Sequence, residues 1–319
     1  MKKIVYIIII LLCTSLGGFA QQDYLEYHRQ INIAEELFVK EKFIESVNQY
    51  DSIINQYEYI FIKDLVIAAQ IAILSNNFEK STDWLIKAIS NGYDCKCIGR
   101  IPVFQEYLKT NLRQNILSNS EKYSSIYLDS INLDLHYEFH HRYKQEQESK
   151  RQREKYVSIV YRNYNRIKAL MDSIPFPSER IIGIDDESIF PTSRGGKLSS
   201  CEASNSKVIP TLLHYDNPIT DIGLSKFIDA IKSGHLHPRQ FAYIYSFETN
   251  YVSRLSKYKN QNSPRLPEYW FNYTFGRKTN DIEQANLDRK KFGICSIEMD
   301  EAKKEIAHKY GLRLSFGNK

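Results

Sequence analysis

The feature that most constrains the fold is an internal repeat in the first third of the chain. Ala34, Leu37, Phe43, Ser46, Tyr50 and Ile53 recur in kind as Ala69, Ala72, Phe78, Ser81, Leu85 and Ala88, each pair 35 residues apart. Within a unit these residues fall mostly three or four apart, the spacing of one helical face. A unit of this length holds two helices, and neither buries its apolar face unless the next unit stacks on it. Ala34 and Ala69 let two helices approach closely, Phe43 and Phe78 open each second helix, and Ser46 and Ser81 sit where close packing leaves little volume.

The register resembles that of tetratricopeptide repeats, whose period is about 34 residues. The resemblance is degenerate, since Ala72 stands where an aromatic residue or Leu is usual and neither unit ends in Pro. Two units fall short of the three such stacks need, so residues 102–123 are predicted to cap them. Asn91 and Gly92 stop the second hairpin, with a loop over 92–99. Residues 131–171 carry a long helical pattern whose centre, 144–155, is almost wholly polar: either a solvated helix or a break between two helices. Pro175 and Pro177 end it. A loose loop is expected over 193–206, helices over 222–232 and 238–257, a loop over 260–267, helices over 281–292 and 299–309, and a short strand over 312–316. The expected fold is therefore mainly α: a tetratricopeptide-like hairpin stack over 21–125, then a mostly helical second domain over 126–319 with few short strands.

Residues 1–20 read as a secretory signal peptide. Lys2 and Lys3 precede an apolar run over 4–12, which is too short for the ~20 residues of a spanning helix, and Gly18 and Ala20 fit the small-residue cleavage rule. A retained anchor and lipidation at Cys13 are the alternatives, the latter opposed by Leu12 just before the cysteine. The expected destination is secreted or periplasmic, with no stable membrane span after cleavage. The formal charge of +5 falls to +3 when Lys2 and Lys3 leave, which gives no electrostatic case for nucleic acid. Four cysteines remain, Cys95, Cys97, Cys201 and Cys295. A bridge between Cys95 and Cys97 would be strained, so a bond from one of them to Cys201 or Cys295 is favoured over it, with free thiols the other reading.

In the second half, Pro175-Phe176-Pro177-Ser178 followed by Gly183, Leu212-Leu213-His214, Gly234-x-x-x-Pro238 leading into Ala242-Tyr243-Ile244, and Asn286-x-x-Arg289-x-x-x-Gly293-Ile294 occur in an order that resembles an uncharacterised secreted bacterial family. Its members carry a C-terminal domain of unknown function behind tetratricopeptide-like hairpins. The similarity spans roughly residues 130–310. Ser246-Phe247 stands where such domains carry an Asp-Arg pair, and Tyr269 to Phe275 replaces a Tyr-Gly-Thr-Gln segment. The resemblance implies architecture and no reaction.

Chemistry-bearing residues are sparse. His214 and Asp216 are the best catalytic candidates, an imidazole that could act as base near neutral pH with a carboxylate that could orient it; a polar turn explains the same residues. His235 and His237 would share a face of an extended segment and offer two metal ligands; a solvated turn is the competing reading. Nucleophile elbows, phosphate loops, dinucleotide fingerprints and zinc-protease motifs are missing, so the usual enzyme classes are unsupported. No cofactor and no metal site is read from the sequence. The aromatic residues Tyr243, Tyr245, Phe247, Tyr251, Tyr258, Tyr269, Trp270, Phe271, Tyr273 and Phe275 would suit either a core or a sugar-stacking surface. The function this favours is an exported scaffold that binds a protein or peptide partner through the hairpins, at a surface including Tyr27, Asn32 and Gln70. The alternative is a hydrolase or carbohydrate-binding activity centred on His214.

Overall fold

The computed structural model describes residues 22–184, 201, 207–250, 266–272 and 279–314. The segment 1–20 expected as a signal peptide, most of the loop expected over 193–206, and Tyr251, Tyr258, Tyr273, Phe275 and Phe316 lie outside the described residues.

Two helical hairpins open the fold: α1 (Tyr24–Val39) with α2 (Phe43–Gln56), and α3 (Ile62–Leu74) with α4 (Phe78–Ser90). The repeat residues do what their spacing requires: Ala34, Ser46, Tyr50, Ile53, Ala69, Ala72, Ser81, Leu85 and Ala88 are all buried. Ser46 spends its hydroxyl on the Ala34 carbonyl of the partner helix at 2.7 Å, which holds α1 and α2 close. The repeat extends to the turns, where Glu41 and Asn76 each adopt φ +58°. Asn tolerates that left-handed conformation and Glu does not, but Glu41 is tied down by Lys309 and the Tyr310 hydroxyl, each at 2.6 Å. Asp23 and Asn77 cap α1 and α4 through the N–H groups of Leu25 and Lys80.

Helix α3 is the centre of the first core. It is apolar around nearly its whole circumference, and a helix of that kind must be covered on all sides. Leu65, Val66, Ile67, Ile71 and Ile73 each gain about 1.5–3 kcal/mol from burial. The covering comes from α1, α4, three short 3-10 turns between residues 95 and 109, and the chain's far end. The turn Cys95–Arg100 replaces part of the loop expected over 92–99. Phe104, Tyr107 and Ile116 enter this core, and α5 (Asn111–Ser118) and α6 (Ser120–Ser130) pack on α4, so the segment after the hairpins caps the stack.

The polar stretch at 144–155 contains a break. Helix α7 (Leu133–Ser149) turns at 150–152 into α8 (Arg153–Met171), and the two run antiparallel, fastened by Arg166 and Arg142 on Glu138. After Pro175 and Pro177 a single turn, α9 (Glu179–Ile182), leads back toward the hairpins. Tyr127 of α6 lies against Gly92 and Gly183, both at positive φ, and a Cβ on Gly183 would sit 2.1 Å from its hydroxyl, so only glycine fits there.

The second core gathers α7, α8, α10 (Val208–Leu213), α11 (Pro218–Ile222), α12 (Leu224–Lys232) and α13 (Pro238–Asn250), with Phe271, Phe292 and Ile294. Helix α14 (Ile282–Lys291) follows, and α15 (Ile297–Tyr310) returns to pack on α1, so the chain's last helix rejoins the first core. Cys97 is bonded to Cys201, a second tie between the halves, while Cys95 and Cys295 are free thiols. Among the described residues no strand forms. Leu312 and Leu314, expected on one, instead lie in irregular chain against the first core. Among the described residues no helix is long and apolar enough to cross a membrane.

Candidate functional site

The two cores meet across a layer of buried polar side chains supplied by α1, α3, α13 and α15. Asp64 is the residue most out of place by composition, a carboxylate in the first turn of an otherwise apolar helix and fully buried. The Tyr27 hydroxyl donates to its Oδ2 at 2.8 Å, while Oδ1 has no hydrogen-bond partner among the described residues. Burial raises the Asp64 pKa to about 6 against the opposing charge of Lys63. His28 of α1 is 2% exposed with Nε2 unpartnered among the described residues, and its ring stands edge-on to that of His237, centroids 4.8 Å apart. Both imidazoles are held well below their ordinary pKa, first by burial and then by Lys63, so both are neutral at neutral pH.

His28, Asp64 and His237 each bring one ligand-type atom to a common point, all within 4.8 Å of one another. Lys63, half-buried beside them, has its own pKa lowered by burial; Asp64 works against that shift and Arg239 adds to it.

A second set of charges flanks this group. Asp300 of α15 is gripped by Arg239 through both carboxylate oxygens, at 2.6 and 3.1 Å, and also by Arg289. Although burial works against ionisation, Arg239, Lys303 and Arg289 hold Asp300 well below the usual carboxylate range. Lys303 reaches across to Glu35 of α1 at 2.7 Å, joining the two cores by a buried ion pair. Arg289 also donates to the carbonyls of Cys295 and Phe271, at 2.6 and 3.0 Å. Arg239 and the Cys295 thiol are 3.1 Å apart. Gly293 abuts α1, where a Cβ would come within 3.0 Å of His28 Cβ, and its carbonyl accepts from Asn32 at 2.8 Å.

The predicted candidates separate. His237 is 6% exposed, which overturns the solvated-turn reading, and its neighbour in space is His28 rather than His235. His235 instead feels Arg180 and Glu58. His214 caps α10, and its Nδ1 bonds Glu146 rather than Asp216; Glu146 is fully buried and accepts from Asn163 at 3.2 Å. Tyr143 stacks near-parallel to the His214 ring at 6.1 Å and Tyr156 lies edge-on, so His214 and His237 belong to different clusters. Tyr245, Tyr269 and Phe271 pack with Phe241 and Phe292 in the second core.

The surface expected on the hairpins is engaged by the chain itself. Tyr27 is on Asp64, Asn32 on Gly293, and Gln70 on Arg313. Gln70 Nε2 donates to the Arg313 carbonyl at 2.9 Å and its Oε1 accepts the Arg313 N–H at 2.7 Å. The Val103 N–H donates to the Gly311 carbonyl at 3.1 Å. Residues 312–314 thus lie against α3 as irregular chain, with the backbone of Arg313 held by Gln70.

Sequence reasoning missed His28, Asp64, Glu35, Asp300 and Glu146. One signal was present: Lys63-Asp64 interrupts an apolar run over 60–67, and a charge there has to find a partner. The others sit on ordinary amphipathic helices and carry no such mark. Comparison of the chain with family models, curated proteins and solved structures returns no match.

Proposed function

We propose that the chain is an exported scaffold that binds extended peptide segments of a protein partner, in the groove beside α3. One observation carries this reading: the amide of Gln70 both donates to and accepts from the backbone of Arg313. A side-chain amide used in this way reads main chain and not sequence, so any extended segment with apolar residues in the places of Leu312 and Leu314 fits the same groove. The segment after α15 occupies it in cis, and a partner enters by replacing that segment.

The test is Arg313→Pro in the full chain, which removes the N–H given to Gln70 and opens the groove, with a labelled synthetic peptide of residues 309–317 added in trans. The peptide is expected to bind the variant at least tenfold more tightly than the wild type, and Gln70→Ala in the same background should abolish the difference. Equal binding to wild type and variant would refute the reading.

A second reading rests on the His214–Glu146 pair. A buried carboxylate on Nδ1 orients the imidazole, and the ring is partly open to solvent, the arrangement of a general base in a hydrolase or a polar contact in a carbohydrate site. Glu146→Gln should then remove turnover of chromogenic esters or glycosides, or binding of oligosaccharide, while His214→Ala leaves the melting temperature within a few degrees. A large loss of stability in His214→Ala makes the pair structural.

A further inference from the structure

We propose that His28, Asp64 and His237 form a binding site for one divalent transition-metal ion, of the class to which zinc belongs, at the junction of the two cores. Two imidazole nitrogens and one carboxylate oxygen are a borderline donor set that suits zinc and its neighbours and does not suit calcium or magnesium. The three come from α1, α3 and the start of α13, so an ion held by them would fasten the hairpins to the C-terminal helices.

Two observations support the site. His28 Nε2 and Asp64 Oδ1 are buried polar atoms with no partner among the described residues, and a metal ion is one of the few groups that satisfies both at once. Asp64 is aimed by its other oxygen, which the Tyr27 hydroxyl holds at 2.8 Å, the kind of outer contact that orients a ligating carboxylate.

Two costs are visible and both are small. His237 Nδ1 accepts the Arg239 N–H at 3.1 Å, and coordination through either ring nitrogen gives up that one neutral hydrogen bond. The donors, spread over 4.8 Å, must close toward the separation of about 3.3 Å that tetrahedral zinc requires, which a modest rotation of the side chains supplies. The surrounding cations do not forbid an ion. Lys303 is matched by Glu35, Arg239 and Arg289 share Asp300, and Lys63, half-buried beside Asp64, is the cation an ion would have to displace. Three protein donors leave a fourth position for water.

The experiment is equilibrium dialysis of the purified, chelator-stripped full chain against Zn2+ alone and Co2+ alone. One ion per chain is expected, with His28→Gln, Asp64→Asn and His237→Gln each losing stoichiometric uptake and His235→Gln retaining it, every variant checked by circular dichroism. Because buried variants can fail to fold, anomalous scattering at the zinc edge from zinc-soaked crystals of the wild type provides the second arm. A peak bonded to all three residues supports the site. No uptake by the wild type, uptake undiminished in folded variants, or a peak on other residues such as Cys95 and Cys295 overturns it.

Discussion

Glu179 gives the sharpest test of how the two halves are joined. Its Oε1 accepts the Ile62 N–H at 3.1 Å and the Tyr59 hydroxyl at 3.0 Å, so a residue of α9 satisfies a buried N–H in the first turn of α3, far away in sequence. Oε2 has no hydrogen-bond partner among the described residues, and burial raises the pKa from 4.5 to about 7. A carboxyl whose folded pKa lies above its unfolded one holds its proton more tightly when folded. Its contribution is intact below pH 4.5 and is lost as pH rises through 7. At about 1.36 kcal/mol per unit the full loss is about 3 kcal/mol, and at 5% exposure solvent screening removes little of it. Glu179→Gln keeps an acceptor for Ile62 and cannot ionise. Relative to wild type it should gain about 2.5 kcal/mol between pH 5 and pH 8. Urea melts of both proteins at pH 5, 6, 7 and 8 measure that difference, in which the opposite contributions of the neutral histidines largely cancel. A difference that stays flat with pH would mean that Glu179 ionises freely in the folded chain, and the reasoning fails.

Other perturbations address the remaining ties. The Cys97–Cys201 bond closes a loop with a sequence separation of 104, so Cys97→Ser should cost about 2–5 kcal/mol, read as a fall in denaturant midpoint that reductant reproduces in the wild type and not in the variant. Asp300→Asn leaves Arg239 and Arg289 facing a neutral amide in a buried site and should destabilise by about 3–5 kcal/mol, whereas Lys304→Ala on the same helix, whose pair with Glu301 is exposed, should change stability by less than about 0.5 kcal/mol. Gly234→Ala places a Cβ 2.7 Å from the Tyr24 ring at φ +74° and should lower the thermal midpoint by several degrees; an unchanged midpoint would show that α12 does not pack on α1 as described.

The hairpins were legible because their physics is local. A helix that hides one face writes a three-and-four rhythm into the sequence, and stacked hairpins repeat it, so Ala34 and Ala69 or Ser46 and Ser81 can be read without coordinates. The same reasoning anticipated most helices of the second core and left 144–155 open between a solvated helix and a break, of which the structure has the break between α7 and α8. It placed a strand where residues 312–314 lie as irregular chain, because the alternation of Leu312 and Leu314 records burial against α3 and cannot tell an extended segment in a groove from one in a sheet. It paired His237 with His235 because proximity along an extended segment was the only geometry available. Burial chose otherwise and brought His237 to His28.

The polar layer between the cores was not legible for a physical reason. Charged residues on an amphipathic helix are read as solvent-facing, and Glu35, Lys303, Asp300 and Arg239 look like surface residues one at a time. Their burial becomes affordable only in pairs drawn from different helices, and pairing has no rhythm along the chain. Asp64 is the exception, since the face of α3 that carries it is dry and its charge had to be answered from outside the helix. Among the described residues its side chain takes one hydrogen bond, from Tyr27 through one oxygen, beside the charge of Lys63. Stability by itself does not account for the choice: a leucine at 64 would fill the same volume without a buried, half-satisfied carboxylate. A residue kept at such a cost beside two neutral histidines is better explained by something it binds, and whether Asp64→Leu is more stable than the wild type when metal is withheld, yet less stable when zinc is supplied, is the comparison that separates a ligand from a defect of packing.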